Sequence, residues 1–249
     1  FAEFLKDCAI NKEGQLVRNK MFSGTGPAQP YLDYALFNLV AYAPEKTNLN
    51  KSLKRSNIKS LNLDESKEWT ELPYYISSFT SLTSLDLSYC YALENIDSLA
   101  NPTKLTSLRL ISCDALQNVD GLANLTNLTS LVLQGRKALK NIDGLANLTN
   151  LTSLDLNSYD ALENIDGLAN LTKLTSLRLN SCDALQNIDS LVNLTKLTSL
   201  NLSRCDALEN IDGLAKLTNL TSLDLSYCNV LQNFDSLANL TKLTNLNLS

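Results

Sequence analysis

Residues 82–104 read LTSLDLSYCYALENIDSLANPTK, and the same 23-residue register restarts at Leu105, Leu128, Leu151, Leu174, Leu197, Leu220 and, cut short, at Leu243. The copies are written L-x-x-L-x-L-x-x-C/N-x-x-L, with Cys at the ninth position in five of the seven complete ones. A period of this length marks a stack of identical supersecondary units, because one unit cannot bury its apolar face alone and must lay it on its neighbours. The length of 249 residues therefore counts coils and does not require a large central core.

The positions of one copy predict its shape. Leu85 and Leu87 alternate with Ser84, Asp86 and Ser88, the period of a strand with leucines inside the coil and polar residues on the concave face. Stacking the copies makes a parallel sheet. Leu93, Ile96, Leu99 and Ala100, with counterparts such as Leu162, Ile165, Leu168 and Ala169, complete the interior. Asp97, Asp120, Asp143, Asp166, Asp189, Asp212 and Asp235 each precede a Ser/Gly-Leu turn, where a carboxylate is expected to accept the first free N–H groups of a short helix. That makes them caps and not metal ligands.

Five cysteines, Cys90, Cys113, Cys182, Cys205 and Cys228, share one position, which Arg136 and Tyr159 take in two middle copies. Coils about 4.8 Å apart would permit some disulfides by Cα distance. A ladder of inward-facing thiols is the better reading, and it suits a reducing compartment. The Asn-Leu-Thr triplets beginning at Asn124, Asn147, Asn170, Asn193 and Asn239 recur with the repeat and read as turn residues.

Residues 1–57 do not repeat and read as a helical N-terminal cap, or as the tail of an upstream domain. Phe4, Leu5, Cys8 and Ala9 suggest a short first helix; Leu32, Leu36, Leu39 and Val40, between Pro30 and Pro44, suggest a second. This segment holds 8 of the 21 basic and 5 of the 26 acidic residues, leaving 13 and 21 for residues 58–249. A degenerate, 24-residue first repeat occupies 58–81, with Ile58, Leu61 and Leu63 at the strand positions, and the solenoid runs from 58 to 249. Leu243, Leu246 and Leu248 begin a strand with no cap after it, an edge that invites self-association.

The chain has no histidine, which removes Ser-His-Asp and Cys-His catalysis and the commonest zinc ligand. The Ser23 to Gly26 loop lacks the Gly-Lys-Ser/Thr of a phosphate loop. No catalytic residue, metal site or cofactor is expected. A net charge of −5 without a basic stripe argues against nucleic acid, and the absence of a run of about 18 apolar residues argues against membrane insertion.

Information about a partner should sit where exposed positions differ between copies. On the predicted concave face these are Asp86, Arg109, Val132, Asp155 and Arg178 in one series and Ile111 and Gln134 in a second. Tyr89, Arg204 and Tyr227 come one position further on. The copy starting at Leu128 departs most, with Gln134-Gly135-Arg136-Lys137, and offers a basic patch beside Ile111 and Val132. These twelve residues are the candidate partner-binding site, and the patch predicts docking of an acidic or mixed protein surface.

The repeats, with GLANLTNLTSL at residues 121–131, resemble bacterial leucine-rich repeats of internalin-like proteins and of effectors, and more distantly the SDS22-like class. The resemblance covers residues 58–249; it departs from internalins in using 23 residues and Cys where they use 22 and Asn. It implies an α/β solenoid, a leucine-rich repeat horseshoe with a parallel concave sheet and short helical or 3-10 turns on the convex side. It also implies a non-catalytic scaffold for a protein partner, of the kind used by bacterial effectors in virulence, in a reducing cytosol rather than on a cell surface. The alternatives are the substrate-recognition part of a larger enzyme, such as a ubiquitin ligase, and a surface adhesin.

Overall fold

In the computed structural model, residues 8–10, 16–18, 59–63, 69–72, 76, 79–100, 104–135 and 139–249 are described. The repeat is built as a stack of coils joined through one nine-stranded parallel sheet. Its strands are β3 (Ser60–Asn62), β4 (Ser84–Asp86), β5 (Ser107–Ile111), β6 (Ser130–Gln134), β7 (Ser153–Asp155), β8 (Ser176–Arg178), β9 (Ser199–Asn201), β10 (Ser222–Asp224) and β11 (Asn245–Asn247), after a separate pair β1 (Cys8–Ile10) and β2 (Leu16–Arg18). Sheet order follows sequence order, so every neighbour is the next coil. Register advances by one repeat per strand: Leu85 pairs with Leu108 and Leu108 with Leu131. At the N-terminal end Leu61 pairs with Leu85, the 24-residue step of the degenerate copy.

Burial follows the leucine period. Leu85, Leu87, Leu93 and Leu99 of one coil are inaccessible, as are Leu154, Leu156, Leu162 and Leu168 three coils on. Burying each such side chain is worth about 1.5–3 kcal/mol, and only the next coil can supply the cover. At β11 that cover ends among the described residues, and Leu246 and Leu248 are exposed.

The convex side is made of 3-10 turns such as Asp120–Leu122, Asp143–Leu145, Asp166–Leu168 and Asp212–Lys216. At three of these turns the close approach of the coils leaves no room for a side chain. A Cβ on Gly144, Gly167 or Gly213 would lie 2.5, 2.4 or 2.1 Å from the carbonyl oxygen of Val119, Ile142 or Ile188 in the preceding coil. Where serine takes this position in the first regular copy, the Ser98 hydroxyl donates to the Leu72 carbonyl at 2.8 Å.

The predicted aspartate caps are not formed. Each aspartate is itself the first turn residue, so its own N–H is the orphan donor. The acceptor is the asparagine two residues earlier. Asp97, Asp166 and Asp212 donate to Oδ1 of Asn95, Asn164 and Asn210, each at 2.6 Å. The residue immediately before the turn, such as Ile165, makes no side-chain cap.

Two further ladders tie the coils. Threonine hydroxyls donate to the backbone one repeat back, as in Thr106 to Thr83 O and Thr129 to Thr106 O, at 3.0 and 3.1 Å. The thiols of Cys113, Cys182, Cys205 and Cys228 donate to the carbonyls of Leu87, Leu156, Leu179 and Leu202 at 3.1–3.4 Å. These cysteines are free, and all but the half-buried Cys228 are buried. Tyr159, also buried, fills the column in one copy, its ring against Gly135 of the preceding coil.

Residues 8–10 do not continue the helix expected there. They pair antiparallel with 16–18, Ala9 facing Val17. Ile10 and Val17 are β-branched and suit a strand better than a helix. The expected second helix lies outside the described residues.

Candidate functional site

The strand register lays the first variable series side by side across the sheet: Asp86, Arg109, Val132, Asp155 and Arg178, then Asn201, Asp224 and Asn247. Its charges answer one another. Arg109 Nε lies 3.1 Å from Asp86 Oδ2, and Arg178 lies 3.8 Å from Asp155. Gln134 Nε2 also donates to Asp155, at 2.8 Å. Ile111 and Val132 are half-buried and do not form a fully exposed apolar patch. Arg136 and Lys137 lie outside the described residues.

The same series goes with how far most of the strands run, Arg178 at the end of β8 being the exception. Asp86, Asn201 and Asp224 accept the N–H two residues on, from Ser88, Ser203 and Ser226, at 2.9–3.0 Å. This Asx-type turn diverts the chain from the ladder. Arg109 and Val132 provide no such acceptor, and their strands continue to Ile111 and Gln134.

Tyr89, Arg204 and Tyr227 stand beyond the strands, not on them. They belong to a row of left-handed turn residues at the rim, φ 62° at Tyr89, 54° at Ser112, 64° at Ser158, 58° at Ser181, 60° at Arg204 and 59° at Tyr227. Non-glycine residues in this region cost about 1–2 kcal/mol each. The geometry is held by the next coil, to whose carbonyls these N–H groups donate; Ser181 reaches Ser203 O and Arg204 reaches Ser226 O, both at 2.8 Å. Tyr89 stacks at a tilt on Tyr91, ring centroids 6.2 Å apart, and the Arg204 guanidinium sits 5.3 Å from the Tyr227 ring centroid.

A further row escapes a reading focused on strand positions. Asp114, Asp160, Asp183 and Asp206, two residues past the left-handed turn, are all exposed. Partial burial, then the neighbouring Asp160 and Asp206, raise the carboxyl pKa of Asp183. The signal was present in the sequence as the recurring Cys-Asp pairs 113–114, 182–183 and 205–206 and the Tyr159-Asp160 pair. Strand-row and rim carboxylates act on the same interior: Asp183, Asp160 and Asp155 all raise the pKa of Cys182.

Among the described residues, no three potential metal ligands gather, and no helix is long and apolar enough to cross a membrane.

A parallel sheet of short strands, 3-10 turns behind it and one leucine-lined interior define a leucine-rich repeat protein. The family model for leucine-rich repeats in two copies matches residues 195–239. The solenoid is similar to that of internalin C2 from Listeria monocytogenes, with 27% identity, a TM-score of 0.65, and 92% of this chain and 100% of that chain covered. A second Listeria monocytogenes internalin, InlF, is 23% identical over 92% of this chain and 79% of its own, with a TM-score of 0.51. The leucine-rich repeat domain of the type III effector XopL shares the fold, with 18% identity, a TM-score of 0.61, and 92% and 98% covered. No curated protein sequence matches the chain significantly. This fold is typical of scaffolds for protein–protein interaction.

Proposed function

We propose that the chain is a non-catalytic module that binds a protein partner on its concave face and rim. One observation carries this reading: buried positions repeat from coil to coil, and side-chain variety is concentrated in the strand row from Asp86 to Asn247 and the rim row from Tyr89 to Tyr227. A purely structural rim would be served by glycine or asparagine in the left-handed position. Serine stands there at Ser112, Ser158 and Ser181, but Tyr89, Arg204 and Tyr227 carry large side chains of the kinds enriched at interface hot spots.

Its place of action is a reducing cytosol, the host's if the module belongs to a bacterial effector. The buried thiols of Cys113, Cys182 and Cys205 support this.

Affinity capture tests the function. The wild-type chain is compared with a Tyr89→Ala, Tyr91→Ala, Tyr227→Ala variant and with a convex control, Asp166→Asn with Asp212→Asn. A protein retained by wild type and control and lost by the tyrosine variant is the expected result. Retention by all three, with unchanged urea midpoints, would place the binding surface elsewhere.

A further inference from the structure

Resting on that reading, the charges of this face also define the partner's chemistry. Both strand-row arginines are already engaged, Arg109 by Asp86 and Arg178 by Asp155. Arg204 lies over the Tyr227 ring. Five carboxylates of the face and rim make no ion pair among the described residues: Asp114, Asp160, Asp183 and Asp206 on the rim and Asp224 on β10.

We infer that the partner presents a lysine- and arginine-rich segment, running across the coils along the rim. Asp160, Asp183 and Asp206 occupy one position of three successive coils, so their spacing is about the 4.8 Å of neighbouring strands. Side chains on one face of an extended segment are about 6.6 Å apart, and the long, flexible stems of lysine and arginine span the difference to such a row. Like charges at this distance repel one another, as the raised carboxyl pKa of Asp183 reflects after the effect of partial burial. A cation seated between them removes that repulsion and adds attraction.

One end of the row suits the same ligand: the paired rings of Tyr89 and Tyr91 offer the aromatic surface on which ammonium and guanidinium groups sit, while the Tyr227 ring at the other end is taken by this chain's own Arg204. An acidic partner, as the Arg109–Lys137 patch alone would suggest, would have to displace Asp86 from Arg109 and approach the unpaired aspartates.

The test uses the whole chain and a fluorescent oligolysine peptide, read by anisotropy at physiological ionic strength, where screening leaves a reach of about 8 Å. Asp160→Asn, Asp183→Asn and Asp206→Asn together should weaken binding about tenfold, the sum of three exposed charge contacts. Asp166→Asn, Asp189→Asn and Asp212→Asn remove equal charge from the convex turns and should weaken it by less than about twofold. Equal loss in both variants, or no binding of oligolysine by the wild-type chain, overturns the inference. Oligoglutamate serves as the second probe. If it binds instead, and Arg109→Gln with Arg178→Gln abolishes that binding, the partner chemistry is overturned while the concave face stands as the binding surface.

Discussion

Raising the pH should unfold this solenoid through its cysteine column. Cys182 is inaccessible to solvent, and its thiol donates to the Leu156 carbonyl at 3.4 Å. Burial, with smaller contributions from Asp183, Asp160 and Asp155, pushes its pKa from 9.0 up to about 12. Between those values the native chain keeps a proton that the unfolded chain has released, so stability falls as pH rises. The slope for one thiol is about 1.4 kcal/mol per pH unit. Nothing is lost through this route below pH 9.0, where the thiol is protonated in both states.

Cys113 is raised to about 12 in the same way, and Cys205 further. Three such groups together lose about 4 kcal/mol per pH unit, a large part of a typical domain's 5–15 kcal/mol. The comparison is between wild type and Cys182→Ala, by urea unfolding followed by circular dichroism over a pH series. Near neutral pH the variant should be about 1–2 kcal/mol less stable, because it loses the buried sulfur and leaves the Leu156 carbonyl without its donor. Above pH 9.0 its stability should then fall more slowly than wild type, by about 1.4 kcal/mol per unit. Parallel pH slopes for the two proteins would refute the reasoning.

Two stability predictions concern backbone geometry. Gly213→Ala places a Cβ 2.1 Å from the Ile188 carbonyl oxygen, so the coils must part, at about 1–3 kcal/mol in urea unfolding; a loss below about 0.5 kcal/mol would show that the convex stack yields freely. Ser181, at φ 58°, should tolerate asparagine within about 0.5 kcal/mol and lose about 1–2 kcal/mol on change to valine, whose branched Cβ resists the left-handed region. Equal midpoints for the two variants would show that this turn relaxes out of the left-handed conformation.

The fold was legible because its cause is local and repeated. Leu85, Leu87, Leu93, Ile96 and Leu99 announce a strand and an interior, and six more copies repeat the statement. The thiol column could be read the same way, since one position shared by Cys113, Cys182 and Cys205 must be either all inside or all outside. Reading failed where one residue of offset matters. Asp97 and Asn95 are both good turn residues, and only the observed start of the 3-10 turn at Asp97 makes the asparagine the acceptor. Tyr89 and Arg204 looked like the next strand positions, but the chain has already turned through a left-handed residue there.

The candidate site shows the same division. Sequence by itself determined which positions are free to vary, because the 23-residue period and the leucine pattern leave no other place for variation, and it determined that no histidine-based chemistry is available. Only the tertiary structure decided what those variable residues do. Arg109 reads as an available cation until the register sets Asp86 beside it, and Asp183 reads as an ordinary loop carboxylate until Asp160 and Asp206 stand above and below it. Coulombic interactions depend on distance through space, and stacking brings residues a repeat apart in sequence to within a strand spacing of each other.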